Sequence, residues 1–278
     1  MTGQTIQVNV NLDGLRGELQ RALQKVMYLV ATGMQSPMDI APEKLQVPSS
    51  GVHIVFDGTL PWTGDEAKAE YVEWVLANGF RDALEAVNAF LESAHTVLCT
   101  FALMDRQRAG ERTTVGHWEE LVANPGRKFH RFGLPDKLDA LVTSLGLSLD
   151  GSLLAHLRSA NDARNCLVHR SGVITSRDVN DQDALKVSWR RFHTYLEDED
   201  GERELVFGQL IEKASKVIIK VVDEAKRFPL NTSIKFTSQE FCDLCWSLFL
   251  TGGNVVDQIN SLRLLRGYFV APVAPAST

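Results

Sequence analysis

The sequence predicts a mainly α-helical protein with a small β-hairpin insertion and a short N-terminal extension. Three features of the sequence support this prediction. One stretch of roughly ten helical turns has apolar residues at steps of three and four. A second helix has an acidic capping residue before it and a Ser-Gly pair after it. A segment rich in Val, Trp, Phe and Tyr is followed by an acidic turn and a second short strand, as in a hairpin.

Composition and charge exclude several classes of protein. The chain has 278 residues, of which 44% are hydrophobic, so it can bury a core and is not mainly disordered. With 29 basic and 35 acidic residues the net charge is −6, which excludes a strongly basic nucleic-acid-binding tail but not a local basic patch. No apolar run approaches the roughly 20 residues that span a bilayer. No signal peptide is evident, and the four cysteines suit a reducing compartment, so we expect a cytoplasmic protein without a membrane partner.

Changes in composition divide the chain into three parts. Residues 1–62 form an N-terminal extension with a strand, a helix and a Pro-containing loop. Residues 63–228 form the main helical domain, with the hairpin at about 185–207. Residues 229–278 form a C-terminal helical extension that ends in a frayed tail.

Within the N-terminal extension, residues 5–12 alternate between apolar and polar types, which indicates a short strand. A helix with one apolar stripe follows. The Pro-containing loop starts at about Gly33, and residues 53–56 inside it suit another strand.

The main domain is predicted to contain several helices and one basic loop. The longest helix covers Asp65 to Ala102, and a short helix covers Pro135 to Leu145. Between them, the segment Gly126 to Gly133 is predicted to be a loop. Asp150 opens the next helix, and after the hairpin the apolar stripe of Gly208 to Ala225 predicts one more.

The C-terminal extension begins with a helix signal. Thr237-Ser238-Gln239-Glu240 is a capping box, because Thr and Glu three residues apart can satisfy each other's backbone N–H groups. The pair Gly252-Gly253 is predicted to divide the following helical region in two.

An arginine and a histidine five positions apart form the most informative motif. Arg164 and His169 would point about 140° apart on a straight helix, so they converge only at a frayed last turn or across two subunits. A histidine can remove the proton of a ribose 2′-OH or protonate the leaving 5′-oxygen. An arginine can hold the phosphate oxygens as their negative charge grows, and Asn165 can hold the phosphate or orient the histidine. The pattern therefore suits RNA cleavage without a metal.

This motif resembles that of a known superfamily. Arg164-Asn165-Cys166-Leu167-Val168-His169 is similar to the R-N-x-x-x-H form of the Rx4–6H motif of HEPN proteins. The continuation from His169 to Ile174 is similar to their H-x-x-G-x-[IV] run. The resemblance covers about residues 65–228 and implies a helical bundle.

The resemblance also implies a function. HEPN domains dimerise and bring two motifs into one composite cleft, and many are metal-independent endoribonucleases of toxin–antitoxin or anti-phage defence systems. Arg164 and His169 would then be the catalytic pair, supported by Asn165, with no cofactor. RNA would be the substrate, and an antitoxin or defence-complex protein a further partner. The family often has a charged residue on an earlier helix, and three candidates remain open, each of which can equally belong to a solvated face: Asp82, Glu85 and Glu92.

Two further groups of residues have both functional and structural interpretations. Arg127, Lys128, Arg131 and Arg170 are predicted to bind RNA, with bases stacking on neighbouring phenylalanines. The alternative is a surface loop whose phenylalanines anchor it to the core. A single Cys242-x-x-Cys245 pair is weak support for zinc, so we expect no metal and buried cysteines.

A second function remains open. The same bundle can serve as a non-catalytic HEPN-like module of a defence complex, used for dimerisation or for binding a partner or nucleotide. The acidic net charge and the unexplained flanking segments favour this alternative.

Overall fold

The computed structural model describes residues 10–35, 64–199, 201–205, 210 and 216–268. Within these residues the protein is mainly helical and has one small antiparallel sheet, as predicted. The helices are α1 (Leu12–Gln35), α2 (Gly64–Arg108), α3 (Val115–Trp118), α4 (Asn124–His130), α5 (Leu134–Asp139), α6 (Gly151–His169) and α7 (Ser238–Leu265). The strands are β1 (Ala184–Asp198), β2 (Gly201–Glu204) and β3 (Lys216–Pro229).

Helix α2 is the centre of the fold and confirms the longest predicted helix. Its apolar stripe is buried, with Phe80 and Leu91 each 1% exposed. Helices α1, α6 and α7 all pack against it. A helix of this length also has enough apolar residues to cross a membrane, but 56% of that apolar window is buried inside the protein. Its hydropathy is therefore explained by packing against the neighbouring helices.

Two predicted helix starts are confirmed by their capping contacts. Asp150 Oδ1 accepts a hydrogen bond from the N–H of Ser152 at 2.8 Å at the start of α6. At the start of α7, the Thr237 hydroxyl accepts from the Glu240 N–H at 3.2 Å, and Glu240 Oε2 accepts from the Thr237 N–H at 2.7 Å. These bonds satisfy N–H groups that have no partner within the first helical turn.

The prediction that Gly252-Gly253 divides the C-terminal helix is wrong, because α7 continues through both residues. Gly252 is buried where α7 meets α1. A Cβ atom at this position would overlap Leu19 Cδ2 and lie 3.5 Å from Phe90 Cε1. The missing side chain lets two helices approach closely, so here glycine serves packing and does not break the helix.

We expect Gly252→Ala to destabilise the fold by roughly 1–3 kcal/mol, the usual cost of overpacking a core. Gly253 is a matched control one residue away, since a Cβ there meets nothing within 4 Å. Gly253→Ala should stabilise α7 by roughly 0.5–1 kcal/mol, because alanine restricts the unfolded chain more than glycine does. Urea unfolding of both variants measures the difference. Equal stability would contradict the assigned role of Gly252.

The sheet has the order β2-β1-β3, and both pairings are antiparallel. The predicted hairpin is confirmed by β1 and β2, which pair from Tyr195↔Glu204 to Asp198↔Gly201. Strand β1 pairs along almost its whole length with β3, from Ala184↔Pro229 to Glu197↔Lys216. Residues of β1 also pack against α6 and α7, which joins the sheet to the helices.

The helix predicted over Gly208 to Ala225 is wrong from Lys216 onward, because this part is strand β3. Residues 206–209 and 211–215 lie outside the described residues. The predicted stripe contained Val217, Val221 and Ala225, which are four residues apart. Steps of four place side chains on one face of a strand as well as on one face of a helix. The β-branched residues between 217 and 222 favour the strand.

The segment Gly126 to Gly133 is also not a loop, since most of it is helix α4. The predicted short helix at Pro135 to Leu145 is confirmed by α5 and a π-helical turn at Ala140–Ser144. Of the strand predicted at 5–12, residues 5–9 lie outside the described residues and Leu12 already begins α1. The strand predicted at 53–56, its Pro-containing loop up to residue 63 and the frayed tail also lie outside them.

Candidate functional site

The end of α6 is fixed by its backbone. The N–H groups of Arg170 and Gly172 both donate to the carbonyl of Cys166, at 2.9 and 3.1 Å. Ser171 and Gly172 have φ angles of 50° and 77°, in the left-handed region that often ends helices. His169 is therefore the last helical residue, as the sequence predicts.

Arg164 and His169 diverge within one chain. Because α6 is helical through both residues, they lie about 7.5 Å apart along its axis and about 140° apart around it. Arg164 is half-buried, and its Nη2 lies 2.5 Å from Glu85 Oε1 on α2. His169 is exposed, and its ring makes no hydrogen bond or ion pair with the residues that the structure describes.

A cleft of about 380 Å³ lies beside Arg164. It is bounded by α2, by the connection from α4 to α5, and by α6. His169 is not among its lining residues. Two arginines and one glutamate line the cleft, so its net positive charge favours an anionic ligand. The polar lining residues are Glu85, Asn88, Arg131, Asn161, Arg164 and Asn165.

Two asparagines of the cleft have amide NH₂ groups that donate to none of the residues described by the structure. Lys137 Nζ donates to Asn88 Oδ1 at 2.7 Å, and Arg164 Nη1 donates to Asn165 Oδ1 at 3.3 Å. Ammonium and guanidinium groups can only donate, so the amide oxygens must face them. The amide NH₂ groups then remain to serve a ligand. A phosphodiester, whose charged oxygens only accept hydrogen bonds, suits such a donor-rich cleft.

Lys137 is a buried charge behind the cleft, and sequence reasoning missed it. Its side chain is 0% exposed, and Nζ lies 2.5 Å from Glu92 Oε1. The other oxygen of Glu92 lies 2.9 Å from His130 Nδ1. Burial alone would raise the pKa of Glu92, but its hydrogen bonds with Lys137 and His130 lower it below the usual value. Nothing in the sequence around Lys137 distinguishes it from a surface lysine.

The three acidic candidates on α2 have different surroundings. Glu85 lines the cleft and pairs with Arg164, and Glu92 pairs with the buried Lys137. Asp82 is exposed and is not among the lining residues of the cleft. Of these three carboxylates, Glu85 is the one that lines the cleft and contacts Arg164.

Three of the four residues predicted to bind RNA lie on α4 or directly after it. Arg131 follows α4 and lines the cleft. Arg127 is 68% exposed and lies 3.4 Å from Glu119 Oε2. Lys128 is exposed and lies outside the lining. Of this group, the structure brings only Arg131 to the cleft of Arg164.

The two phenylalanines beside these basic residues have different roles. Phe129 is 2% exposed and stacks on His95 with ring centroids 4.0 Å apart, so it anchors α4 to the core. Phe132 is 44% exposed and lines the cleft, where a base can reach it. The anchoring interpretation therefore fits Phe129, and the base-stacking interpretation fits Phe132.

Arg170 makes a structural contact. Its Nε donates to Asp178 Oδ2 at 2.8 Å, and the Asp178 side chain is 1% exposed. Burial alone would raise the pKa of Asp178, but hydrogen bonds from the Thr175 N–H and from Arg170 lower it below the usual value. This pair holds the chain that follows α6. A contact between Arg170 and RNA stays a prediction.

Within the part of the chain that the structure describes, no group of three or more His, Cys, Asp or Glu side chains is arranged to hold a metal ion. Cys242 and Cys245 both lie on α7 and are free thiols. Burial raises the pKa of Cys245 to about 12, so it remains a thiol at neutral pH. Cys245 belongs to the hydrophobic core, and the half-buried Cys242 packs against that core.

The comparisons with known proteins complete this description. No protein-family model, curated protein sequence or solved structure matches this chain significantly.

Proposed function

We propose that this protein is a metal-independent endoribonuclease of the HEPN type. The observation that supports the proposal is the position of Arg164, which lines a donor-rich cleft about 1.4 turns before the exposed His169 at the end of the same helix. The motif supplies an acid–base group and a cation, and the cleft supplies further donors for a phosphate.

The proposed reaction uses the neighbouring hydroxyl of the RNA itself. His169 removes the proton from a ribose 2′-OH, and the 2′-oxygen attacks the adjacent phosphorus atom. The bond from phosphorus to the 5′-oxygen breaks, and that oxygen takes up a proton relayed through water from the protonated His169, which returns the imidazole to its neutral form. Arg164 and Asn165 donate hydrogen bonds to the phosphate oxygens while negative charge accumulates on them. The products are a 2′,3′-cyclic phosphate and a free 5′-OH.

The proposal includes a homodimer. Because Arg164 and His169 diverge on α6, one chain cannot direct both side chains at one phosphate without bending the helix. A second copy that presents its own α6 end can complete the site, as expected from an isologous interface. We place the dimer in the cytoplasm, in a toxin–antitoxin or anti-phage defence system, with an antitoxin or defence-complex protein as regulator.

The test is an RNA cleavage assay in excess EDTA, with total RNA and tRNA as substrates. We expect cleavage by the wild-type protein and products that carry 2′,3′-cyclic phosphate and 5′-OH ends. Cleavage that stops in EDTA, or products with 5′-phosphate ends, would contradict the proposed mechanism. Mass spectrometry of the product ends distinguishes these results.

A second candidate function is a non-catalytic module that binds nucleotides or a partner. The observation that favours it is the existing pair between Arg164 and Glu85, which occupies part of the guanidinium. The lack of an orienting partner for His169 among the described residues points the same way. RNA or nucleotide binding in the cleft without any cleavage would support this function over the first.

A further inference from the structure

A second cleft lies next to the first, along the same contact between α2 and α6. Its volume is about 400 Å³. Residues between 70 and 81 of α2 line one side of this cleft, and Leu167, Ser171 and Gly172 at the end of α6 line another. The segment that contains Ile234 completes the lining.

The two clefts lie one after the other along α2 and α6. On α2, residues between 84 and 88 line the first cleft and residues between 70 and 81 line the second. On α6 the order is reversed, with residues 161–165 in the first and 167–172 in the second. The lining therefore runs along α2 from Glu70 to Asn88, which corresponds to about 27 Å of helix.

The charge of the second cleft differs from that of the first. Four charged residues line it, and the two positive charges balance the two negative ones: Arg81, Lys235, Glu70 and Glu73. Lys235 Nζ lies 2.6 Å from Glu73 Oε1, so one positive and one negative charge of the cleft already form an ion pair. A cleft without net charge does not attract a phosphate group, but it accepts an uncharged planar group.

The second cleft has an aromatic wall. Trp74 lines it and is 63% exposed, which is unusual for a side chain of this size. Its ring stacks on Tyr71 with centroids 6.2 Å apart and an angle of 22° between the planes. The tyrosine ring thus lies beside the indole in a nearly parallel, offset orientation, and the exposed part of the indole is available to a ligand. Nucleobases stack on such side chains in proteins that bind single strands.

We propose that the second cleft is a subsite for a nucleobase of single-stranded RNA, with Trp74 as the stacking residue. This inference rests on the proposed ribonuclease function, because the phosphate held beside Arg164 fixes where the neighbouring nucleotides lie. The strand passes along the α2–α6 contact, with a phosphate in the donor-rich cleft and a base on Trp74. A duplex cannot use the subsite, since its bases are stacked on one another.

The test measures RNA binding in a His169→Ala background with EDTA, so that cleavage does not interfere. The probes are a single-stranded RNA oligonucleotide and a duplex of the same sequence. Trp74→Ala should weaken binding of the single strand roughly tenfold, and Trp74→Phe should retain most of the affinity. Trp246→Ala is the matched control, because Trp246 is 48% exposed on α7 and lies outside both clefts. It should bind like the parent.

The outcomes separate the subsite from the catalytic proposal. If Trp74→Ala binds the single strand as tightly as its parent, the subsite is refuted even where the wild-type protein cleaves RNA. If binding depends on Trp74 but the wild-type protein cleaves no RNA, the subsite stands and the catalytic proposal fails. If no RNA binds at all, both proposals fail. An equal loss in Trp246→Ala would also overturn the assignment to Trp74.

Discussion

Replacement of His169 by alanine is expected to lower the rate of RNA cleavage by about 10²- to 10⁴-fold, the usual contribution of a general acid–base group. The fold should survive, because the exposed ring makes no hydrogen bond or ion pair with the residues that the structure describes, and such surface changes cost within about 0.5 kcal/mol. Single-turnover cleavage in EDTA gives the rate, and thermal unfolding gives the stability. A His169→Ala protein that cleaves as fast as the wild type would remove His169 from the mechanism.

Arg164→Ala is expected to cause a comparable loss, about 10²- to 10³-fold, since it removes a donor to the charged transition state. Arg158→Ala is its matched control on the same helix. Arg158 Nη2 lies 2.5 Å from Asp139 Oδ1, so this variant also loses one ion pair, but it leaves the cleft intact. Similar losses of activity in both variants would show that a general effect of charge is responsible.

Replacement of Lys137 by methionine is expected to destabilise the protein by roughly 3 kcal/mol. Removal of one partner from a buried pair leaves the other charge without compensation, and the cost reaches about 3–5 kcal/mol. Glu92 is 29% exposed and keeps its contact with His130, which places the expected effect at the lower end. Methionine keeps most of the volume, so a cavity does not dominate the result.

The control for this prediction is the double variant Lys137→Met with Glu92→Gln. It removes both charges, so it should recover a large part of the lost stability. Urea unfolding of the two single variants and the double variant closes the thermodynamic cycle. Additive losses would contradict a direct interaction between Lys137 and Glu92.

The helices that the sequence predicts well are those with local signals. The stripe of α2, the Asp150 cap of α6 and the Thr237 capping box of α7 depend on residues within a few turns. The prediction for the β3 segment is wrong because it depended on a local pattern, whereas a distant strand determines the structure. Its apolar residues at steps of four fit a helix and a strand equally, and pairing with β1 decides between them. Gly252 shows the same limit, since only the approach of α1 shows why it is glycine.

The candidate site likewise contains residues that a local motif indicates and residues that only tertiary packing brings together. Arg164, Asn165 and His169 belong to one motif on one helix, so the sequence is sufficient to select them as candidates. The cleft beside Arg164 is formed by side chains from three parts of the chain. Lys137 and Asn88 are 49 residues apart and show no shared pattern in the sequence. Their contact arises only when α5 packs on α2, so local reasoning cannot predict it.

The proposed mechanism requires Arg164 and His169 to form one catalytic unit across two copies of the chain. Arg164→Ala and His169→Ala proteins, each inactive alone, are mixed, allowed to exchange subunits and assayed for cleavage in EDTA. If each site takes its arginine from one copy and its histidine from the other, about half of the dimers are mixed and each has one intact site of two. We expect the mixture to recover about a quarter of the wild-type activity. No recovery, in a mixture shown to have exchanged subunits, would contradict it.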